Sequence, residues 1–314
     1  MDNTKRFDVA ANCLSKRLSA LFLSLNDTEK NRIREIRIRN RRPLTVTTDK
    51  GTEFMLNNGR LTQIYSDLTV KTDEKEVDEI FRRMCGYSVH SFSEALNRGY
   101  ITVNGGHRVG VAGTAVVENG KITAVRDICA LNIRIAREIK NAADDVMKIF
   151  FSNGLCSLIV AGPPSSGKTT VLRDLARQLS SELCGCRKVF VCDERGELGA
   201  AFSGIEQNDI GINSDLITSY PKAEGIIIGL RSFSPDIIIC DEVSTYEETQ
   251  AIVSGVNSGV CFILSIHARN ERELRSKPLL KAMLETEAFE NVLLLSGLYV
   301  GKIEKSFKAG DLLA

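Results

Sequence analysis

Apolar residues recur at helical spacing over Val9, Cys13, Leu14, Leu18, Leu21, Phe22 and Leu25. They do so again over Val77, Ile80, Phe81 and Met84, where Asp73-x-x-Glu76 reads as a capping box. Between and after these stretches the period shortens to two. Glu35-Ile-Arg-Ile-Arg39 alternates so that its arginines line one face of a strand. Asn58-Gly59, Asn104-Gly105 and Asn119-Gly120 are hairpin signals, because both residue types tolerate left-handed backbone. Tyr100 to Val103, His107 to Val117, Ile122 to Arg126 and Ala130 to Ala136 supply strands beside the last two. This mixture predicts a small α+β domain.

From about residue 140 the pattern changes. Continuous apolar runs at Leu155 to Ala161, Val189 to Cys192, Ile237 to Cys240 and Val260 to Ile266 alternate with helical segments. Strands without alternation are buried on both faces, which predicts a parallel α/β sheet. No internal repeat, low-complexity tract or long linker interrupts the chain. The expected domains are residues 1–140, α+β, and 141–314, α/β, with the boundary near Arg137 to Asp145.

The first of those apolar runs leads into Gly162-Pro163-Pro164-Ser165-Ser166-Gly167-Lys168-Thr169-Thr170, a complete G-x-x-x-x-G-K-[ST] phosphate loop. A strand before it and a helical segment after it are the context the motif requires. Two glycines let the backbone wrap a triphosphate with N–H groups inward, and the helix offers its positive end. Lys168 reaches the β- and γ-phosphates, and the Thr169 hydroxyl ligates the Mg²⁺ that the polyphosphate brings. ATP and Mg²⁺ are therefore the expected cofactors.

A second marker is Pro235-Asp-Ile-Ile-Ile-Cys-Asp241-Glu242, an apolar strand delivering acids to the sheet edge where α/β proteins bind ligands. Asp241 is the candidate to hold Mg²⁺, usually through a water, and Glu242 the candidate to orient and polarise a water for attack on the γ-phosphate. That glutamate favours hydrolysis over transfer to a small molecule. Val189-Phe-Val-Cys-Asp193-Glu194-Arg195 ends in acids as well. Either carboxylate could help place metal or water, or could simply cap the next turn. His267, at the end of Val260 to Ile266, is placed to sense the γ-phosphate.

Composition narrows the classes. At 314 residues with 43% hydrophobic content, the chain can bury sizeable cores. No apolar stretch approaches the roughly 18 to 20 residues that span a bilayer, and Met1-Asp-Asn-Thr-Lys-Arg lacks a signal-peptide pattern, so the expectation is cytoplasmic. Nine cysteines without a paired framework read as reduced thiols, several buried in strands, such as Cys192, Cys240 and Cys261. Cys184-Gly-Cys186 is given no metal. The net charge of +1 hides an asymmetry: residues 1–140 carry 24 Lys and Arg against 17 Asp and Glu, and residues 141–314 carry 17 against 23. Oppositely charged halves suit docking within a chain or between subunits, and argue against a broadly basic nucleic-acid binder.

The stretch Gly229-Leu-Arg-Ser-Phe-Ser-Pro-Asp-Ile-Ile-Ile-Cys-Asp-Glu, with Ala251 to His267, resembles the RecA-like ATPases of type II and type IV secretion and pilus motors. Those families have a histidine box where His267 stands and an acidic box that Asp193-Glu194 resembles. The whole chain is similar to the stage III sporulation protein AA family. The segments that carry this are Glu35-Ile-Arg-Ile-Arg with Arg42-Pro-Leu, Gly99-Tyr-Ile-Thr-Val-x-Gly-Gly-His-Arg-Val-Gly, Leu131-Asn-Ile-Arg-Ile-Ala-Arg-Glu, Asp193-Glu-Arg and Pro221-Lys-Ala-Glu-Gly. The resemblance implies a RecA-like ATPase in a hexameric ring, expected at the mother-cell face of the engulfing membrane, energising a secretion-like channel into the forespore through membrane channel proteins. It also implies arginines that complete the nucleotide site near a subunit boundary, for which Arg134, Arg137 and Arg231 are the candidates. One departure is Asp241-Glu242-Val-Ser-Thr, where secretion ATPases commonly have Gly-Glu-Ile-Arg-Asp.

Two alternatives stay open on the residues alone. A nucleic-acid motor would draw on the Arg32 to Arg42 cluster, against which stand the acidic second half and the lack of stacking aromatics. An ATP-binding regulatory scaffold with little turnover is disfavoured by Glu242.

Overall fold

The computed structural model describes residues 3–97 and 99–313, with Met1, Asp2, Arg98 and Ala314 outside the described residues. The chain forms two compact units, one of residues 1–138 with 202–207, the other of 139–201 with 208–314.

The first unit opens with α1 (Asn3–Asn12), α2 (Lys16–Leu23) and α3 (Asp27–Arg32). The helical spacing of Val9 to Leu25 is thus delivered by two helices, because Ser15 caps α2 by accepting the Leu18 N–H. Then come β1 (Glu35–Arg39), β2 (Thr45–Thr48), β3 (Gly51–Met55), β4 (Leu61–Thr62), α4 (Glu74–Met84), α5 (Ser93–Asn97), β5 (Tyr100–Val103), β6 (His107–Glu118) and β7 (Lys121–Arg134). The described strands pair antiparallel in the order β4-β3-β2-β1-β7-β6-β5. Ile36 and Ile38 of β1 are buried and Arg37 is exposed, so one face of the alternation enters the core.

Two local expectations are corrected. Asp73 does cap α4, accepting the Glu76 N–H at 2.8 Å, but Glu76 does not return the bond. Its carboxylate instead accepts from the Ser15 hydroxyl at 2.6 Å and pairs with Arg17, tying α4 to α2. Ile122 to Arg126 and Ala130 to Arg134 belong to one strand, β7, which ends before Ile135 and Ala136 and passes a register shift opposite Gly113, where a Cβ would meet the Arg126 carbonyl at 2.5 Å. The Asn119-Gly120 turn joins β6 to β7 with both residues at positive φ, the hairpin conformation the dipeptide favours.

His107 at the start of β6 is fully buried and its Nδ1 accepts the Ala136 N–H at 3.0 Å. Burial pushes its pKa down from 6.5 to about 4, opposed by a hydrogen bond with the Arg6 backbone and helped by the Arg6 charge. The unfolded chain binds this proton more readily, so stability present above about pH 6.5 is lost as pH falls toward 4. The loss from this residue amounts to about 3 kcal/mol. Denaturant unfolding of His107→Gln at pH 7 and pH 4.5 should show a correspondingly smaller acid loss than wild type. Equal losses would rule this residue out as a source of acid sensitivity.

The second unit contains α6 (Asp144–Phe150), β8 (Leu158–Gly162), α7 (Lys168–Leu179), β9 (Val189–Asp193), β10 (Ser214–Thr218), α8 (Lys222–Ser232), β11 (Ile237–Cys240) and α9 (Tyr246–Val256). It continues with β12 (Cys261–His267), α10 (Glu271–Arg275), α11 (Pro278–Leu284), β13 (Asn291–Leu295), β14 (Ile303–Lys308) and α12 (Ala309–Leu313). The described strands order as β10-β9-β11-β12-β8-β13-β14, parallel except for β14. Ile159, Phe190 and Ile238 enter one core, while Val160, Val191 and Ile239 enter another. The four residues of β11, Ile237–Cys240, are all apolar and buried because each face of the sheet has its own helical cover. Each isoleucine so buried contributes about 1.5–3 kcal/mol. Cys192 and Cys240 are buried thiols, whereas Cys261 is only half-buried.

Candidate functional site

β8 ends on Gly162 and α7 begins at Lys168, so the phosphate loop turns at the carboxyl edge of the parallel sheet. Gly162 has no room for a side chain, since a Cβ there would lie 2.5 Å from Ser166 Oγ. Gly167 caps α7 at φ +92°, and a Cβ there would lie 2.7 Å from the Gly301 nitrogen. Ser165 also takes positive φ. Pro163 bends the loop back by accepting the Ser166 N–H at 3.3 Å, while Pro164 and Ser165 are exposed. A glycine cap brings no side-chain acceptor, so the first N–H groups of α7 have none from the helix or its cap. Ser166 Oγ is buried with no hydrogen-bond partner. Spare N–H and O–H donors at a helix start are what a phosphate group requires, and these residues fit a polyphosphate.

Lys168 is buried and its Nζ donates to the carbonyls of Gly162 and Pro163, each at 2.9 Å. Burial lowers its pKa, and the charges of Asp241 and Glu242 oppose that shift. Thr169 and Thr170 follow in the first turn, both half-buried. The Thr169 hydroxyl donates to Asp241 Oδ2 at 2.5 Å.

The acids are fixed from behind by β12. Fully buried Ser265 donates its hydroxyl to Asp241 Oδ1 and accepts the Glu242 N–H at 2.9 Å. Glu242 takes φ +50°, a conformation a non-glycine residue holds only under constraint. Its carbonyl accepts from Lys222 Nζ at 2.7 Å, and Lys222 is buried against Glu248 at 3.3 Å and Glu194 at 3.6 Å. The Glu242 carboxylate pairs with Arg195. That ion pair is solvent-exposed and worth ~1 kcal/mol or less, so it opens readily.

The two readings of Asp193 resolve in favour of the cap. Its oxygens accept the Glu197 and Gly199 N–H groups at 2.8 and 2.9 Å, pinning the loop after β9, and burial raises its pKa. Glu194 keeps a more exposed carboxylate beside Lys222. His267 is opposite Gly162 in the β12–β8 register, half-buried. Burial and the Lys168 charge lower its pKa, which favours the neutral ring.

The structure thus gathers residues 162–170, Asp241, Glu242, Glu194 and His267 at one sheet edge. The candidate arginines differ. Arg134 is exposed on β7 and pairs with Glu35 at 3.4 Å, and Arg231 is exposed in the last turn of α8. Arg137 donates to the Asn31 and Ile33 carbonyls of its own unit. The arginine of the Gly-Glu-Ile-Arg-Asp stretch falls at Ser244, whose N–H donates to the Glu248 carboxylate at 2.7 Å, and the next residue, Thr245, caps α9 in a capping box with Glu248.

Ser265, Lys222 and Arg195 were not singled out for the site by sequence. Only Ser265 carried a signal, as the one hydroxyl in the apolar run from Val260 to Ile266.

A family model described as Sporulation stage III, protein AA, matches residues 4–305. Stage III sporulation protein AA of Bacillus subtilis is 36% identical over 84% of this chain and 82% of its own. Among solved structures, the pilus retraction motor PilT superposes with a TM-score of 0.53 at 16% identity, covering 83% of this chain and 74% of PilT. The Yersinia pseudotuberculosis ATPase DotB gives 0.50 at 17%, covering 83% and 70%. The fold is that of the RecA-like secretion ATPases, a two-sheet α/β chain with its parallel sheet in the second unit. The chain belongs to the sporulation stage III protein AA family.

Proposed function

We propose that this protein is a Mg²⁺-dependent ATPase of endospore formation, working as an oligomeric ring to energise a channel between mother cell and forespore. The observation that carries the reading is the contact of the Thr169 hydroxyl with Asp241, directly before a glutamate held at positive φ. A divalent cation brought by the nucleotide would meet a hydroxyl and a carboxylate there, and would supply neutralisation of the charge that develops on the phosphate oxygens. The backbone of residues 162–170 holds the phosphates, and Lys168 matches their charge. Glu242 orients a water and accepts its proton once Arg195 releases the carboxylate. Glu194 and neutral His267 stand beside that water path as positioning groups. Arg134, Arg137 and Arg231 are our candidates for positive charge supplied at a boundary between copies. The structure of PilT holds ADP, which supports a nucleotide in the related fold.

The nucleic-acid motor is the weaker reading. Half of its six-arginine cluster is engaged: Arg32 pairs with Asp49 and Glu53, Arg39 donates to Pro43 and Thr45, and exposed Arg41 pairs with Glu74. Among the described residues no helix is long and apolar enough to cross a membrane, and we assign the membrane contact to partner proteins.

ATP turnover per chain, measured across protein concentration with and without single-stranded DNA, tests this reading. We expect a rate that rises with concentration and ignores DNA. Strong DNA stimulation would favour the motor, and ATP binding without turnover at any concentration would favour the scaffold.

A further inference from the structure

The turn between β13 and β14 carries a cluster of apolar side chains at the surface: Leu298 is 87% exposed, Tyr299 65% and Val300 62%. This turn is built onto the phosphate loop. The Gly301 N–H donates to the Ser166 carbonyl at 2.7 Å, and a Cβ on Gly167 would sit 2.8 Å from a Val300 methyl. A Cβ on Gly297 would sit 3.2 Å from the Pro163 ring. The turn is closed by the Ser296 N–H donating to the Lys302 carbonyl at 2.8 Å, and Lys302 Nζ lies 5.8 Å from the Tyr299 ring centroid.

Sheet order gives the tip a direction. Asp241 follows β11 and His267 ends β12, both on one flank of β8, while β13 lies on the other. A triphosphate laid along the loop with its reactive end toward Asp241 and Glu242 must send its opposite end toward β13. That end carries a nucleobase, a flat group whose faces need apolar or aromatic cover.

We infer that Leu298, Tyr299 and Val300 form the nucleobase subsite, with Tyr299 as the stacking residue. The inference rests on the nucleotide reading of the phosphate loop and adds how the base is held. Tripolyphosphate, which has the phosphates and no base, separates the two.

The test is equilibrium binding of ATP and of tripolyphosphate, each with Mg²⁺, to wild type, Tyr299→Ala and Tyr299→Phe. The expected result is ATP binding weakened about tenfold or more in Tyr299→Ala, tripolyphosphate binding within twofold of wild type, and ATP binding retained in Tyr299→Phe. Equal weakening of both ligands would mean that Tyr299 acts only by bracing the phosphate loop, and would overturn the subsite. Unchanged ATP binding in Tyr299→Ala would overturn it too, leaving the phosphate-loop reading intact. Failure of wild type to bind either ligand would overturn both.

Discussion

Glu242→Gln will bind ATP as wild type does and lose turnover by about 10²- to 10⁴-fold, the range a positioned general base contributes. The amide replaces the carboxylate with nearly the same shape. The backbone that places it is held independently, by Ser265 at the Glu242 N–H and by Lys222 at the Glu242 carbonyl. What the amide lacks is a site that can take a proton from water. Hydrolysis and ATP affinity measured on the same preparation check this, and a rate within tenfold of wild type would move the base elsewhere, with Glu194 the next candidate.

Lys168→Ala should cost ATP affinity at least one to two orders of magnitude. Hydrogen bonds from an ammonium to a charged acceptor are worth about 1.5–3 kcal/mol each, and the buried Lys168 ammonium is the charge that the alanine removes. The Gly162 and Pro163 carbonyls also lose their donor, which loosens the loop the phosphates must enter. ATP titration alongside a far-ultraviolet spectrum separates lost binding from lost fold. Wild-type affinity in a folded Lys168→Ala protein would remove residues 162–170 as the nucleotide site.

Much of this site is legible in the sequence because its markers are local. A phosphate loop works through backbone conformation, so its glycines, lysine and threonine must be contiguous, and strand-ending acids announce themselves by following an apolar run. Buried-type strands told the parallel sheet apart from the alternating β1 for the same reason. What stayed hidden is set by tertiary contact. Lys222 sits at the start of α8 with no periodicity to mark it, and its role exists only because the Glu242 carbonyl comes within 2.7 Å. Arg195 meets Glu242 across two adjacent strand ends. The Asp73-x-x-Glu76 motif promised a reciprocal cap, but the Ser15 hydroxyl and Arg17 competed for the glutamate and won it. Asp193 gave one pattern with two uses, and only the two N–H groups arriving from Glu197 and Gly199 decide between them.

The most direct test of hydrolysis at this site is single-turnover phosphate release, with wild type and Glu242→Gln loaded to the same occupancy of Mg-ATP. Release from wild type and retention of intact ATP by Glu242→Gln is the expected result. Equal release from both would contradict the assignment of Glu242 and, with it, the proposed chemistry of the sheet edge.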